Sequence, residues 1–167
     1  MKRLAMITAA ALLAAGPAGA QLAQDSSAPI DITADEAEVI NSQCLAIWRG
    51  AAEALQARTR MRADVIRVYS TKEGDGCGST DRLEAEGNVY YVTVDRAVRA
   101  DKAVYAAASE TITMTGGVII VEGRNVARGD QLVVNVESGA AQMSANARGR
   151  GNPNRVRGVF YPSGEGR

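Results

Sequence analysis

Apolar and polar residues alternate along most of the chain from residue 30 onward, which is the period of a β-strand with one buried face. Ile30, Ile32 and Ala34 open the pattern, with polar residues between them. The alternation shifts its phase by one residue at four positions, which are Asp35, Asp64, Asp101 and Asp130. Such a slip turns later side chains to the opposite face unless the chain bends or bulges there. We therefore expect each Asp to mark a corner between two strand segments.

A repeating unit organises this pattern, because a Gly precedes three of these Asp residues by fourteen positions. The full copies run from Gly50 to Asp64, from Gly87 to Asp101 and from Gly116 to Asp130, and a truncated copy opens at Ala34-Asp35. Successive Asp residues are 29, 37 and 29 residues apart, and each Gly is expected to open one of about three short strands per repeat. Stacked repeats build elongated surfaces, which favours binding or bridging over catalysis in one cleft.

Two segments fit the repeat less well. The segment from Cys44 to Met61 contains the run Ala51-Ala52-Glu53-Ala54-Leu55-Gln56-Ala57, whose residues favour a helix when considered alone. The repeat register of Gly50 and Asp64 nevertheless predicts strands there. Residues Ser70 to Arg82 lengthen the middle interval and are rich in Gly, Asp, Ser and Thr, so they predict a surface loop.

The N-terminus predicts an export signal over residues 1–20. Lys2 and Arg3 precede an apolar run that is too short to span a bilayer, and Ala18-Gly19-Ala20 is a small-residue cleavage site. An uncleaved anchor is the disfavoured alternative. Residues 21–29 then predict a flexible lead-in, residues 30–162 the folded domain, and residues 163–167 a disordered tail. Export of this kind predicts a periplasmic protein.

Composition excludes several function classes. Without Lys2 and Arg3 the chain carries 17 basic and 19 acidic residues, which argues against nucleic acid as a partner. The chain has no His, so neither a Ser-His-Asp nor a Cys-His catalytic arrangement can form. The sequence also lacks a phosphate-binding Gly-x-x-x-x-Gly-Lys-Ser/Thr loop. We predict a protein that is not an enzyme and needs no cofactor or metal.

The two cysteines, Cys44 and Cys77, predict a disulfide in an oxidising compartment. Their spacing is not Cys-x-x-Cys, so a redox site is a weaker interpretation, and a metal site is weaker still. The four Asp residues recur at one place in each unit, which favours turn hydrogen bonds over paired catalytic carboxylates or calcium ligands. The basic stretch at the C-terminus favours a solvated loop and rim over a phosphate site; it comprises Arg148, Arg150, Arg155 and Arg157.

A set of apolar residues shares the inward face of this pattern. They form either a filled core, which the pattern alone favours, or the lining of a groove that accepts hydrocarbon chains. Two sheets that close incompletely would provide both. The set consists of Ile32, Ala37, Val39, Met61, Ile66, Val68, Val89, Tyr91, Val98, Val118, Ile120, Leu132 and Val134.

Four short motifs carry a family resemblance: Ile32-Thr33-Ala34-Asp35, Glu86-Gly87-Asn88-Val89, the corner from Val98 to Lys102, and the closing stretch from Arg155 to Pro162. With the Gly-to-Asp spacing, they make residues 30–162 resemble the periplasmic lipopolysaccharide-transport bridge proteins of the LptA/OstA-like family. Gly50-Ala51-Ala52 departs from the family's usual Gly-Asn-Val.

The resemblance implies an all-β fold, a slightly open β-jellyroll of stacked antiparallel strands built from these repeats. It implies that the apolar groove binds the lipid A part of lipopolysaccharide and passes it from the inner to the outer membrane. The implied partners are an LptC-like inner-membrane protein, an LptD-like outer-membrane protein and further copies of this chain, joined head to tail. The alternatives are an LptC-like partner jellyroll, which normally keeps a membrane helix, and a structural β-solenoid with a filled core.

Overall fold

The computed structural model describes Leu22 and residues 28–162. Within these residues, ten strands and two short 3₁₀ turns account for the regular structure, which confirms the predicted all-β class. The turns are Asn41–Gln43 and Ala107–Ser109. The strands are β1 Asp31–Thr33, β2 Glu36–Ile40, β3 Leu45–Gln56, β4 Thr59–Glu73, β5 Gly76–Val92, β6 Arg96–Ala106, β7 Thr111–Glu122, β8 Asn125–Asn135, β9 Ala141–Ser144 and β10 Arg157–Val159. The predicted export signal and C-terminal tail lie outside the described residues.

The strands form one antiparallel sheet in which β3 to β8 follow each other in chain order. Each margin of the sheet is shared by two short strands. β1 and β2 both pair with β3, and β9 and β10 both pair with β8. The sheet therefore has two halves, one containing β1 and β10 and the other containing β2 and β9.

The border between the two halves is a line of corners at the repeated Gly and Asp residues. Each inner strand pair shifts its register there, for example between Arg99 and Lys102 of β6 opposite β7. Asp35 packs against Gly50, Asp64 against Gly87, and Asp101 against Gly116. A Cβ atom added to these glycines would lie 2.2–2.4 Å from the neighbouring carboxylate oxygen, and their φ angles are +77° to +85°. Only Gly fits such a position, which explains why the residue recurs.

The fourteen-residue spacing follows from this geometry. Gly50 and Asp64 lie at the two ends of one hairpin, which consists of the second part of β3, a turn, and the first part of β4. Gly50 contacts Asp35, which lies in the bend between β1 and β2, whereas Asp64 contacts Gly87 of the following strand β5. The predicted corners are therefore present, each made by residues of two adjacent strands.

Two local predictions are wrong. The expectation of about three short strands per repeat fails, because β3 to β8 are continuous strands of 11–17 residues that bend at the corner. The predicted surface loop at Ser70 to Arg82 is instead the extended end of the β4–β5 hairpin, with a turn before Gly76. By contrast, the Ala-rich part of Cys44 to Met61 is strand β3, because cross-strand packing overrides its helix propensity.

The bent sheet buries one of its faces. Directly paired residues of antiparallel strands project to the same side, and most of the buried apolar residues of β3 to β8 project to the inner side, whereas Ile119 and Val121 project to the outer side. Met61, Ile66, Val89 and Met114 are each fully buried within one apolar cluster. Since the described residues contain no helix other than the two 3₁₀ turns, the two halves of the sheet cover each other.

A disulfide joins Cys44 to Cys77 with a Cα–Cα distance of 5.4 Å. It links the turn before β3 to the outer end of the β4–β5 hairpin. The backbone N–H of Ser70 donates to the carbonyl of Cys44 at 2.9 Å, beside the disulfide. These contacts hold the extended hairpin against the body of the sheet.

Candidate functional site

The thirteen apolar residues expected to face inward do share one face of the sheet. Eight of them are buried: Met61, Ile66, Val89, Tyr91, Val98, Val118, Leu132 and Val134. Ile32, Val68 and Ile120 are half-buried. Ala37 and Val39 are exposed because they lie on the marginal strand β2, and Val39 is 67% exposed. The expected residues are therefore buried in the central strands and exposed to solvent at the margin formed by β2.

Strand pairing joins these residues into continuous apolar rows. One row crosses the half of the sheet that contains β2 and β9, through Ala37, Trp48, Ile66, Ala85, Ala103, Met114, Leu132 and Met143. Another crosses the other half through Ile32, Ala54, Met61, Tyr91, Val98, Ile120 and Ala127. We call the apolar inner surface of these two halves the inner groove.

The structure adds residues to the groove that were absent from the expected set. Trp48, Leu83, Tyr105, Ile112 and Met114 project inward beside the expected residues. Their alternation with polar neighbours was a usable signal. Their position in particular rows depends on the strand register, which the sequence does not show.

An open recess of about 440 Å³ lies where the groove meets solvent. Tyr91, Val134 and Val136 form its apolar lining, and Arg58 and Arg96 lie at its rim together with one carboxylate, Asp95. Residues of both halves of the sheet line this recess, which places the two halves opposite each other. An apolar chain with an anionic head group matches this combination of lining and rim.

Three polar side chains interrupt the apolar interior near this recess. Gln56 is 2% exposed, Thr59 6% and Tyr91 4%. Burial raises the pKa of the Tyr91 phenol to about 12, because it disfavours the charged phenolate. The hydroxyl is therefore protonated at neutral pH and acts as a hydrogen-bond donor.

The burial of Leu22 was not expected from the sequence. Leu22 falls in the expected flexible lead-in, yet it is fully buried in the apolar cluster. Its backbone N–H donates to Gln56 Oε1, and its carbonyl accepts from the Tyr91 hydroxyl at 2.9 Å. No alternating pattern surrounds Leu22, so no sequence signal identified it.

Charged side chains form ion pairs on the outer face of the sheet near the corners. Glu86 accepts hydrogen bonds from Lys102 at 2.9 Å and from Arg67 at 2.6 Å. The bond from Lys102, followed by that from Arg67, lowers the pKa of the Glu86 carboxyl. This arrangement keeps the outer side of the corner region hydrated and ionic, in contrast to the groove.

The basic C-terminal stretch is divided among several environments. Arg148 donates to the backbone carbonyl of Ala145. Arg155 lines a second recess of about 510 Å³, together with Arg128 and Asp130. Arg157 lies in β10, directly opposite Arg128. Arg155 and Arg157 thus both lie near Arg128, whereas Arg148 contacts the backbone of its own loop.

The repeated Asp residues accept hydrogen bonds and pack against neighbouring residues at the corners. Asn88 Nδ2 donates to Asp64 Oδ2 at 3.0 Å, and the backbone N–H of Asn146 donates to Asp130 Oδ2 at 2.7 Å.

In the part of the chain that the structure describes, no group of three or more His, Cys, Asp or Glu side chains could hold a metal ion. The same residues include no helix that is long and apolar enough to cross a membrane.

A bent antiparallel sheet enclosing an apolar groove defines the class of protein, a β-jellyroll. The chain belongs to the family described as LptA/(LptD N-terminal domain) LPS transport protein, whose model matches residues 31–140. The matched residues begin at β1 and end just before β9, so they include most of the groove. The expected LptA/OstA-like identity is thereby confirmed.

A solved structure and a curated protein resemble this chain. The crystal structure of LptH, described as the LptA homologous periplasmic component of the lipopolysaccharide transport device from Pseudomonas aeruginosa, has a TM-score of 0.68. It is 18% identical, and the match covers 83% of this chain and 99% of LptH, so it supports the fold. Uncharacterized protein R00383 of Rhizobium meliloti (strain 1021) is 29% identical over 132 residues, which is 76% of this chain and 70% of that protein.

Proposed function

We propose that this protein is a periplasmic bridge that binds the lipid A part of lipopolysaccharide in its inner groove. It passes the lipid from the inner membrane towards the outer membrane without catalysing a reaction. The observation that carries the proposal is the continuous apolar face, which crosses the sheet from β2 to β9 and opens to solvent at the recess. Membership of a family of lipopolysaccharide transport proteins supports this choice of ligand.

The physical chemistry of the groove suits transfer better than storage. Each CH₂ group removed from water contributes about 0.8 kcal/mol, so several acyl chains require an extended apolar surface. The apolar rows offer many similar positions rather than one deep site. A lipid can therefore move along the groove over small barriers, while a partner supplies the energy for directional flow.

The margins of the sheet suit assembly into a longer bridge. β1 and β2 at one margin, and β9 and β10 at the other, each pair with one strand only among the described residues. Such margins expose backbone N–H and C=O groups that can pair with another strand. We propose that the margins join an LptC-like inner-membrane protein, an LptD-like outer-membrane protein and further copies of this chain, head to tail, so that the grooves become continuous.

The alternatives make different predictions. A structural β-solenoid stacks successive coils around a filled core, whereas this sheet is a meander of lateral hairpins with an open recess. An LptC-like partner would remain attached to the inner membrane. Release of the mature chain into the periplasmic fraction, with an N-terminus at Gln21, distinguishes the proposed bridge from that alternative.

Binding to purified lipopolysaccharide tests the proposed ligand. We expect Ile120→Asp to weaken binding about tenfold or more, because it places a carboxylate among acyl chains. Ile120 is half-buried in the groove, whereas the adjacent Ile119 lies on the outer face and is 37% exposed. Ile119→Asp is therefore the matched control and should bind like the wild type. Equal affinity of both variants, with circular dichroism spectra that show folded protein, would contradict binding in the groove.

Self-association tests the proposed role of the β2 margin. Val39→Lys is expected to shift the protein towards the monomer in analytical ultracentrifugation, because a charged side chain on a marginal strand opposes strand addition. Val94 provides the control, since it is 62% exposed but lies in the turn between β5 and β6. Association that survives Val39→Lys and is lost in Val94→Lys would argue for a different interface.

A further inference from the structure

The two margins of the sheet carry opposite charges that are not mixed. Residues 28–44, which contain β1 and β2, include four acidic residues and no basic residue. Residues 138–162, which contain β9 and β10, include four arginines and no acidic residue. Residues 45–137 between them include 12 basic and 13 acidic residues, so the separation of charge is confined to the margins. The acidic margin comprises Asp31, Asp35, Glu36 and Glu38, and the basic margin comprises Arg148, Arg150, Arg155 and Arg157.

Little of this charge is neutralised within the chain. All eight residues are exposed. In the described part of the chain, Glu38 is the one member of the two margins that forms an ion pair, with Arg49 at 2.9 Å. Arg148 donates to a backbone carbonyl, and Asp35 packs against Gly50. The other margin charges are available to a partner.

The margin charges lie on the outer side of the sheet. Asp31 and Glu36 each adjoin a residue of the inner rows, so they project outward because successive side chains of a strand alternate. On the opposite margin, Arg157 is paired with Arg128, and Arg128 is paired with Ile119 of the outer face. A partner can therefore meet these charges without any charge entering the inner groove.

Strand direction allows two kinds of contact between copies. β3 and β8 run in opposite directions because five antiparallel steps separate them, and each marginal strand is antiparallel to its neighbour. β10 of one copy can therefore pair antiparallel with β1 of the next copy, and β9 with β2, which continues both halves of the sheet. Two identical margins can also pair antiparallel when one copy is rotated by half a turn. Backbone hydrogen bonding alone does not choose between these arrangements.

We propose that charge makes this choice, so that the basic margin of one copy binds the acidic margin of a second copy. Arg157 then lies beside Asp31 of the adjoining copy, because β10 adjoins β1. Two basic margins or two acidic margins repel each other, which excludes contact between like margins. The proposal rests on the proposed function, since it identifies the residues that select the partner at the ends of the same bridge.

The proposal makes self-association sensitive to salt. The distance over which exposed charges interact falls from about 10 Å at 0.1 M salt to about 3 Å at 1 M. Association of the wild type should therefore weaken severalfold when salt is raised over this range. Margins held by backbone pairing and apolar contacts alone would not respond in this way.

Exchange of charge between the margins tests the proposal by analytical ultracentrifugation of the mature protein. One variant, Asp31→Lys with Glu36→Lys, makes the acidic margin basic, and the other, Arg155→Glu with Arg157→Glu, makes the basic margin acidic. Each variant alone should associate at least about tenfold more weakly than the wild type, because like charges then meet. An equimolar mixture of the two should associate again, because every contact between the two variants joins opposite charges.

A matched control separates the margins from net charge. Asp75→Lys with Asp81→Lys makes the same change in charge on the extended β4–β5 hairpin, where both residues are exposed. This variant should associate like the wild type. Circular dichroism should show that all three variants are folded, and if a margin variant does not fold, the response of the wild type to salt decides.

The outcomes separate this proposal from lipid binding by the groove. A mixture that stays monomeric although the wild type associates overturns selection by charge, as does a wild type that is monomeric at low salt or indifferent to salt. Both margin variants should bind lipopolysaccharide like the wild type, since their substitutions lie outside the groove. Association restored in the mixture without binding of lipopolysaccharide by any form supports the charge selection and contradicts the proposed ligand.

Discussion

Gly116→Ala is expected to lower the free energy of unfolding by about 2–5 kcal/mol, from backbone strain and overpacking together. Gly116 has a φ of +85°, which disfavours any residue with a Cβ atom. An added Cβ would also lie 2.4 Å from Asp101 Oδ2 and 2.6 Å from Asp101 Cβ. Rotation of the carboxylate cannot relieve the second contact, so the backbone of the corner must move. Denaturation by urea with a far-ultraviolet circular dichroism readout measures the loss.

The adjacent glycine separates the two causes of this loss. Gly117 has a φ of +53°, and a Cβ added there would have no atom within 4 Å. Gly117→Ala should therefore cost only the backbone strain, about 1–2 kcal/mol. If the two variants lose equal stability, the contact between Gly116 and Asp101 does not explain why Gly recurs at the corners.

Removal of the disulfide is expected to cost about 2–4 kcal/mol. The bond joins residues 33 positions apart and thereby restricts the unfolded chain. In the folded protein it holds the extended β4–β5 hairpin near the turn that precedes β3. The double variant Cys44→Ala, Cys77→Ala should show this loss in denaturation by urea.

Reduction of the wild type provides the matched measurement. Dithiothreitol should lower its stability to that of the double variant and should leave the double variant itself unchanged. Mass spectrometry before and after reduction should show a gain of two hydrogens in the wild type. Stability that does not respond to reductant would show that the hairpin is held by other contacts.

Much of the fold could be predicted because its main signals are local. Alternation of apolar and polar residues identified the inner face, and the phase shifts located the corners at the Asp residues. The continuity of the strands could not be predicted in this way, because a bulge within a strand and a break between two strands produce the same phase shift. The pairing of Asp64 with Gly87 depends on the register of two strands, which is a non-local property.

Composition was misleading for the extended hairpin. Residues Ser70 to Arg82 have the Gly, Asp and Ser content of a loop, yet they pair as strands up to a turn before Gly76. The polar alternation there has no core to face, so it provided no strand signal. Tethering by Cys77 and pairing between β4 and β5 decide the structure instead.

The apolar residues of the candidate site could be predicted from the sequence, but which of them are exposed to solvent could not. The inward residues were identifiable from their parity, whereas the exposure of Ala37 and Val39 follows from the marginal position of β2. Whether the apolar face is a solid core or a groove depends on how far apart the two halves of the sheet lie. Leu22 enters the groove from outside the repeats, and one apolar residue in a polar segment has no periodicity to reveal it.

Site-specific photo-crosslinking in cells tests the central claim most directly. A benzoylphenylalanine replaces Ile120 inside the groove or Ile119 on the outer face, so the two probes differ by one residue and project from opposite faces of β7. We predict an adduct with lipopolysaccharide from position 120 and none above background from position 119. Adducts of equal yield from both positions, or none from position 120 in a folded and exported protein, would contradict transport through the groove.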